Sequence, residues 1–151
     1  MTIKIIESDK NLIKYGQSWI GVPLFLNDGL LMPLPSEWTL DMTIQRLSKN
    51  TVISYAKTIA IWLESLEINK ITWDSVDAGT AQMFIYMLQR ENVGDGTIKL
   101  RMTHIQEFYR WALNKGYIQR LPYEIKRLSL KGVQQTTSTI KLPNKPNRKV
   151  K

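Results

Sequence analysis

The chain has no cysteine in its 151 residues. That excludes a disulfide scaffold, thiolate zinc sites and cysteine nucleophiles, and it fits a cytoplasmic compartment. It has a single histidine, His104. A lone helical histidine is more often structural than catalytic, and no G-x-S-x-G, H-E-x-x-H, Walker or EF-hand pattern stands near it. No run of 18 apolar residues exists, so no transmembrane helix and no membrane partner is expected. The start, M-T-I-K-I-I-E-S-D-K, places acids where a signal peptide needs its apolar stretch. Acids are also scarce where they would matter. None lies between Asp41 and Glu64, none from Gly96 to Gln106, and none after Glu124. Residues 1–124 balance in charge, so the whole net charge of +8 sits in residues 125–151. A basic tail favours nucleic acid or an anionic surface, or serves as a solvated linker. Neither cofactor nor metal is expected.

What is present is helical. An apolar share of 43% with five Trp suffices for one domain with an aromatic core. From Ser48 to Leu66 the chain reads S-K-N-T-V-I-S-Y-A-K-T-I-A-I-W-L-E-S-L. Val52, Tyr55, Ala56, Ile59, Trp62, Leu63 and Leu66 recur at helical spacing, with Ser48 or Asn50 as cap. Asp77 or Thr80 begins a second helix bearing Ala81, Phe84, Ile85 and Leu88. Asp95 or Thr97 begins a third, to Lys115, with Ile98, Met102, Ile105, Tyr109 and Ala112 inward and Gly116 as its stop. Pro122 opens a short fourth helix holding Ile125 and Leu128. Ile71 and Trp73 plug the core from the loop after the first helix.

Ahead of these, Thr2–Ser8 fits an edge strand. G-V-P-L-F-L, N-D-G, L-L-M-P reads as a hairpin bent at Asn27-Asp28-Gly29. Pro23, Pro33 and Pro35 are expected to keep that hairpin out of a central sheet. Ser36 is expected to cap a short helix with Trp38 and Met42 inward.

Two helix starts carry donors and cations without nearby acids. One offers Lys49, Asn50, Thr51, Ser54, Lys57 and Thr58; the other offers Thr97, Lys99, Arg101, Thr103 and His104. Helix N-termini suit phosphate, and these side chains are the usual phosphate and base-edge readers. Taken singly, each set could simply solvate a surface. A helix-turn-helix would use the second and third helices, but the bend E-N-V-G-D-G is longer than that motif's turn.

S-K-N-T-V-I-S-Y-A-K-T-I-A-I-W-L resembles the tyrosine recombinase pattern of Ser, Thr, Tyr and a closing aromatic-Leu pair. T-I-K-L-R-M-T-H-I-Q-E-F-Y-R-W-A-L-N-K-G-Y-I resembles the same domain's Thr-Ile start, F-Y-x-W-A core and Gly-Tyr-Ile exit before a Pro. Over residues 48–130 the chain is similar to the core-binding, SAM-like domain of phage-integrase-type recombinases. The resemblance implies a mainly α fold, a four-helix orthogonal bundle, here with an N-terminal β-hairpin or extended arm (1–47) and a basic linker (131–151). It implies a module that clamps duplex DNA, alongside other recombinase protomers. The strand-breaking residues, including a Tyr nucleophile, are expected on a separate domain after Lys151. The family's DNA contacts correspond to Thr51 and Ser54, then Thr97, Leu100, Arg101 and His104; Leu100 departs from the usual polar residue and suits a thymine methyl. The rival readings are a SAM-like protein-interaction domain and a small transcription regulator.

Overall fold

The computed structural model describes residues 3–124 and 128–130. Five strands come first: β1 (Ile3–Glu7), β2 (Ile13–Lys14), β3 (Gln17–Ser18), β4 (Pro23–Asn27) and β5 (Leu30–Leu31). Four helices follow: α1 (Pro33–Ile44), α2 (Lys49–Ile68), α3 (Ala78–Arg90) and α4 (Asp95–Asn114). The fold is mainly α with a small antiparallel sheet at its N-terminal end.

Local signals place the helix ends. Of the two candidates for the start of α2, Ser48 is the cap: its Oγ accepts the Thr51 N–H at 3.1 Å. Asp77 caps α3 through the Thr80 N–H at 2.9 Å, and Thr80 Oγ1 accepts in return from the Asp77 N–H. α4 closes on Gly116, whose φ of +82° only glycine adopts freely. There the Tyr117 N–H reaches the Ala112 carbonyl and the Gly116 N–H the Leu113 carbonyl, which satisfies two orphan carbonyls of the last turn.

The N-terminal region departs from the sequence reading in three ways. First, Ser36 does not cap α1. Pro33, with its fixed φ, starts the helix, and Ser36 lies buried within its first turn. Its Oγ instead accepts the buried N–H of Phe25 at 2.9 Å, which ties α1 to β4. Second, the prolines do not exclude the hairpin from a sheet. β4 is the middle strand of the order β1-β4-β5, and Pro23 is its first residue, opposite Glu7, where a missing N–H is tolerated. The turn is where the sequence placed it, with Asp28 and Gly29 at φ +52° and +83°. Third, a second ribbon, β2–β3, stands between β1 and β4, where no sequence signal was read.

The fourth helix is α1. Pro122–Glu124 are not helical, and Ile125 of the expected helix lies outside the described residues. Tyr123 is buried and donates its hydroxyl to the Met102 carbonyl at 3.0 Å. Beyond it, Gln82 of α3 grips residue 129 twice, donating to the Ser129 carbonyl (2.7 Å) and accepting its N–H (3.2 Å).

One core joins all of this. Ile3, Phe25 and Trp38 share it with Trp62, Phe84, Ile105 and Tyr109. Trp62 meets Phe84 edge-on at 5.1 Å and donates its indole N–H to Tyr109 Oη at 3.1 Å. Tyr109 in turn donates to the Trp73 carbonyl at 2.6 Å. A buried indole and phenol thus both find partners, as burial requires. Ile71 and Trp73 pack against this core as half-buried plugs.

Candidate nucleic-acid interface

The starts of α2 and α4 lie to the same side of one seam, and the contacts between the two helices say why. Tyr55 and Thr58 of α2 both touch His104 of α4; one turn on, Trp62 touches Tyr109. Residue numbers rise together along both helices. The helices therefore run in the same sense, and their N-terminal turns project on the same side of that seam.

On α2, Asn50, Ser54 and Lys57 are exposed at spacings of four and three, which is one stripe of a helix. Thr51 is half-buried, its hydroxyl accepting from Ser48 Oγ at 2.8 Å. Lys49 is exposed but not alone: Glu7 of β1 lies 3.4 Å from its ammonium. The acid-free stretch is thus acid-free along the chain only. Both partners are more than half exposed, and such a pair holds little energy. Arg46, exposed two residues before the Ser48 cap, adds a cation that the sequence reading left out.

On α4, Thr97, Lys99 and Leu100 are exposed, Leu100 at 54%. Thr103 is exposed, but its hydroxyl is spent on the Lys99 carbonyl at 3.0 Å. Arg101 is half-buried; no ion pair links it to Asp95 or Glu107 among the described residues, and Glu107 pairs instead with Arg110 at 3.4 Å.

Two residues read as surface donors face inward. His104 is 4% exposed, its Nδ1 hydrogen-bonded to Thr58 Oγ1 at 2.8 Å and its ring stacked on Tyr55 at 4.2 Å. Thr58 is equally buried. The reason is the width of the buried stripe on α4. Phe108 is fully buried against Trp38, and His104 lies one turn before it on the same side. Burial, and then the positive charge of Arg101, push the imidazole below its ordinary pKa, so it is neutral at pH 7. Burial and the charge of Glu107 push the Tyr55 phenol up, so that ring is neutral too. The seam is therefore an uncharged strut beneath two sets of polar side chains.

The surroundings offer little else. No group of three or more metal-binding side chains occurs among the described residues, and no helix there is long and apolar enough to cross a membrane. An open depression lined by Leu113, Gln119, Arg120 and Tyr123 lies by the other end of α4.

Residues 36–116 match the family model described as phage integrase, N-terminal SAM-like domain. The chain belongs to that family. The matched stretch begins in α1 and ends at the glycine that closes α4, so it takes in most of α1 and all of α2, α3 and α4 and leaves out the strands. Among curated proteins the chain is similar to "Putative tyrosine recombinase TTE1313" of Caldanaerobacter subterraneus subsp. tengcongensis, with 27% identity over 97 residues. That match covers 64% of this chain and 33% of the relative, so the chain spans about a third of the relative's length. No solved structure matches the chain.

Proposed function

We propose that this integrase-family domain is the DNA-gripping module of a tyrosine recombinase. It holds duplex DNA while a separate domain breaks and rejoins strands, beside other protomers of the same kind. The observation that carries this reading is the pairing of two polar, cation-bearing helix starts on one side of the His104–Tyr55 seam. Helix N-termini present free N–H groups and partial positive charge, which suits phosphate. Asn50, Ser54, Lys57, Thr97 and Lys99 supply the donors; Leu100 offers an apolar contact and Arg101 a guanine reader. His104 acts from beneath, positioning the two helices. Lys49, shared with Glu7, is the weaker cation. The orthogonal bundle arrangement and the linker role of residues 131–151 belong to the same proposal.

The test is titration of a labelled duplex with the purified chain at two salt concentrations. Binding that falls steeply with salt, as counterion release requires, is the expected result. No binding at low salt, or binding indifferent to salt, leaves the protein-interaction reading in its place.

A further inference from the structure

Between β1 and β4 the chain leaves the sheet and returns as the ribbon β2–β3. Its base is closed by the Ser8 N–H on the Val22 carbonyl and the Gly21 N–H on the Ser8 carbonyl, both at 2.9 Å. Its strands are braced by Ser18 Oγ on the Lys10 carbonyl (2.8 Å) and the Trp19 indole N–H on the Lys14 carbonyl (2.9 Å). The ribbon is therefore well built, yet it gives the core almost nothing. Ile13, Tyr15 and Ile20 are 65%, 73% and 71% exposed. Three large apolar side chains left exposed within one short ribbon make it a candidate for a contact.

The tip carries a second sign. Tyr15 and Gly16 sit at φ +54° and +72°. A two-residue turn of that kind takes Asn, Asp or Gly at its first position, because they tolerate the left-handed region. A bulky residue there is strained. Tyr15 gains no burial in exchange, only the Lys14 ammonium over its ring, and strain kept for so small a return points to function.

Position and chemistry name the partner. Glu7 and Gly21, which flank the ribbon, both lie against the ammonium of Lys49, the first residue of α2. The ribbon thus springs from beside one of the two helix starts assigned above to DNA. It exposes Lys10, Asn11, Gln17 and the tip ring, with the Lys14 ammonium over that ring at 5.6 Å. Its acids are engaged: Asp9 accepts the Asn11 N–H at 2.8 Å and Glu7 pairs with Lys49.

We propose that the ribbon Asp9–Ile20 is a second DNA-contacting element, lying in the groove beside the stretch of duplex held by the start of α2. A major groove admits a two-stranded ribbon. Lys10 and Lys14 reach phosphates, Asn11 and Gln17 face base edges, and Tyr15 with the two isoleucines packs on sugars and thymine methyls. The proposal rests on the DNA-binding reading, and its test separates the two.

The test uses the whole 151-residue chain and a long mixed-sequence duplex. Affinity, its salt slope and the base pairs occluded per protein are measured for the wild type, for Lys10→Gln with Lys14→Gln, and for Tyr15→Asn. The lysine pair is expected to lower the salt slope by roughly 0.9 for each lost phosphate contact. Tyr15→Asn relieves the turn, so it is expected to raise the melting temperature while weakening binding and shortening the occluded length. Wild-type binding with all variants matching it in slope, affinity and occluded length overturns the ribbon's role and leaves the helix starts standing; a partner other than DNA then covers the tip. A Tyr15→Asn variant that melts lower than wild type overturns the strained-tip argument and the proposal with it. A wild type that binds no duplex overturns both readings.

Discussion

The His104 ring lies stacked on Tyr55 at 4.2 Å, in the seam that couples α2 to α4. Its Nδ1 is held by Thr58. Truncation at His104 opens a cavity and strands the buried Thr58 hydroxyl. His104→Ala is expected to cost about 2–4 kcal/mol of stability, from the ranges for cavity formation and for a buried unsatisfied polar group. Thermal or urea unfolding measures it. A loss within surface-substitution scatter would show that the seam bears no load.

The same residue makes stability depend on pH, and the sign follows from its depressed pKa. The unfolded imidazole titrates near 6.5, the folded one below that. Between the two values the unfolded state binds more protons, so stability is full above about 6.5 and is lost as pH falls through the folded value. Lowering the pH from 7.5 to 5.5 is expected to lower the melting temperature of the wild type. His104→Gln, which cannot titrate, should lack that step. The range compared, pH 7.5 to 5.5, lies above the ordinary carboxylate range, so Asp77, whose cap hydrogen bonds lower its pKa further, does not contribute to it. Equal slopes for the two proteins would assign the pH effect elsewhere.

Trp62 and Tyr109 tie the same two helices one turn further on. Trp62→Ala is expected to cost about 3–5 kcal/mol, the usual range for removing a buried large aromatic. Tyr109→Phe keeps the ring and removes the hydroxyl that serves both the Trp62 indole and the Trp73 carbonyl. It should cost about 1–3 kcal/mol. Chemical denaturation of both variants checks the order of the two effects.

What the sequence disclosed follows the reach of each signal. Ser48, Asp77 and Gly116 act within four residues of themselves, and each ends a helix as the sequence indicates. The apolar stripes of α2, α3 and α4 are likewise periodic in one stretch of chain. The errors come from partners far along it. Ser36 looks like a cap until β4 brings the Phe25 N–H to it. Lys49 looks unopposed until β1 brings Glu7. His104 was legible as polar on a polar helix start, but which way it faced depended on α2 packing beside it. The β2–β3 turn went unread because Tyr15 stands where Asn or Gly would have marked it.

Ser36 offers a clean test of its corrected role. A helix cap accepts Asp in place of Ser at little cost. A buried acceptor for a backbone N–H does not, because the carboxylate must be desolvated. Ser36→Asp is therefore expected to destabilise more than Ser36→Ala, which itself leaves the Phe25 N–H unpaired at about 1–3 kcal/mol. Unfolding midpoints of the two variants decide it: a Ser36→Asp protein as stable as wild type would restore the capping role.

Arg101 distinguishes reading DNA from merely gripping it. A surface arginine normally has a nearby acid to tidy, and such a pair is worth about 0–1 kcal/mol. Here the two acids in reach along the helix are otherwise placed. Glu107 pairs with Arg110, and no ion pair joins Asp95 to Arg101. The guanidinium instead stands close enough to His104 to lower its pKa. Arg101→Ala is thus expected to leave stability nearly unchanged and to let the His104 titration, followed by NMR, move up toward its ordinary value. On DNA the same change should act at one position. An arginine bidentate to guanine is worth about 1–3 kcal/mol of discrimination against the wrong base, whereas a phosphate contact lowers affinity for every sequence alike. Competition among single-base variants of a bound duplex separates the two. Relative affinities that stay fixed in Arg101→Ala while all of them fall would make Arg101 a phosphate clamp, and sequence choice would then have to come from elsewhere in the recombinase.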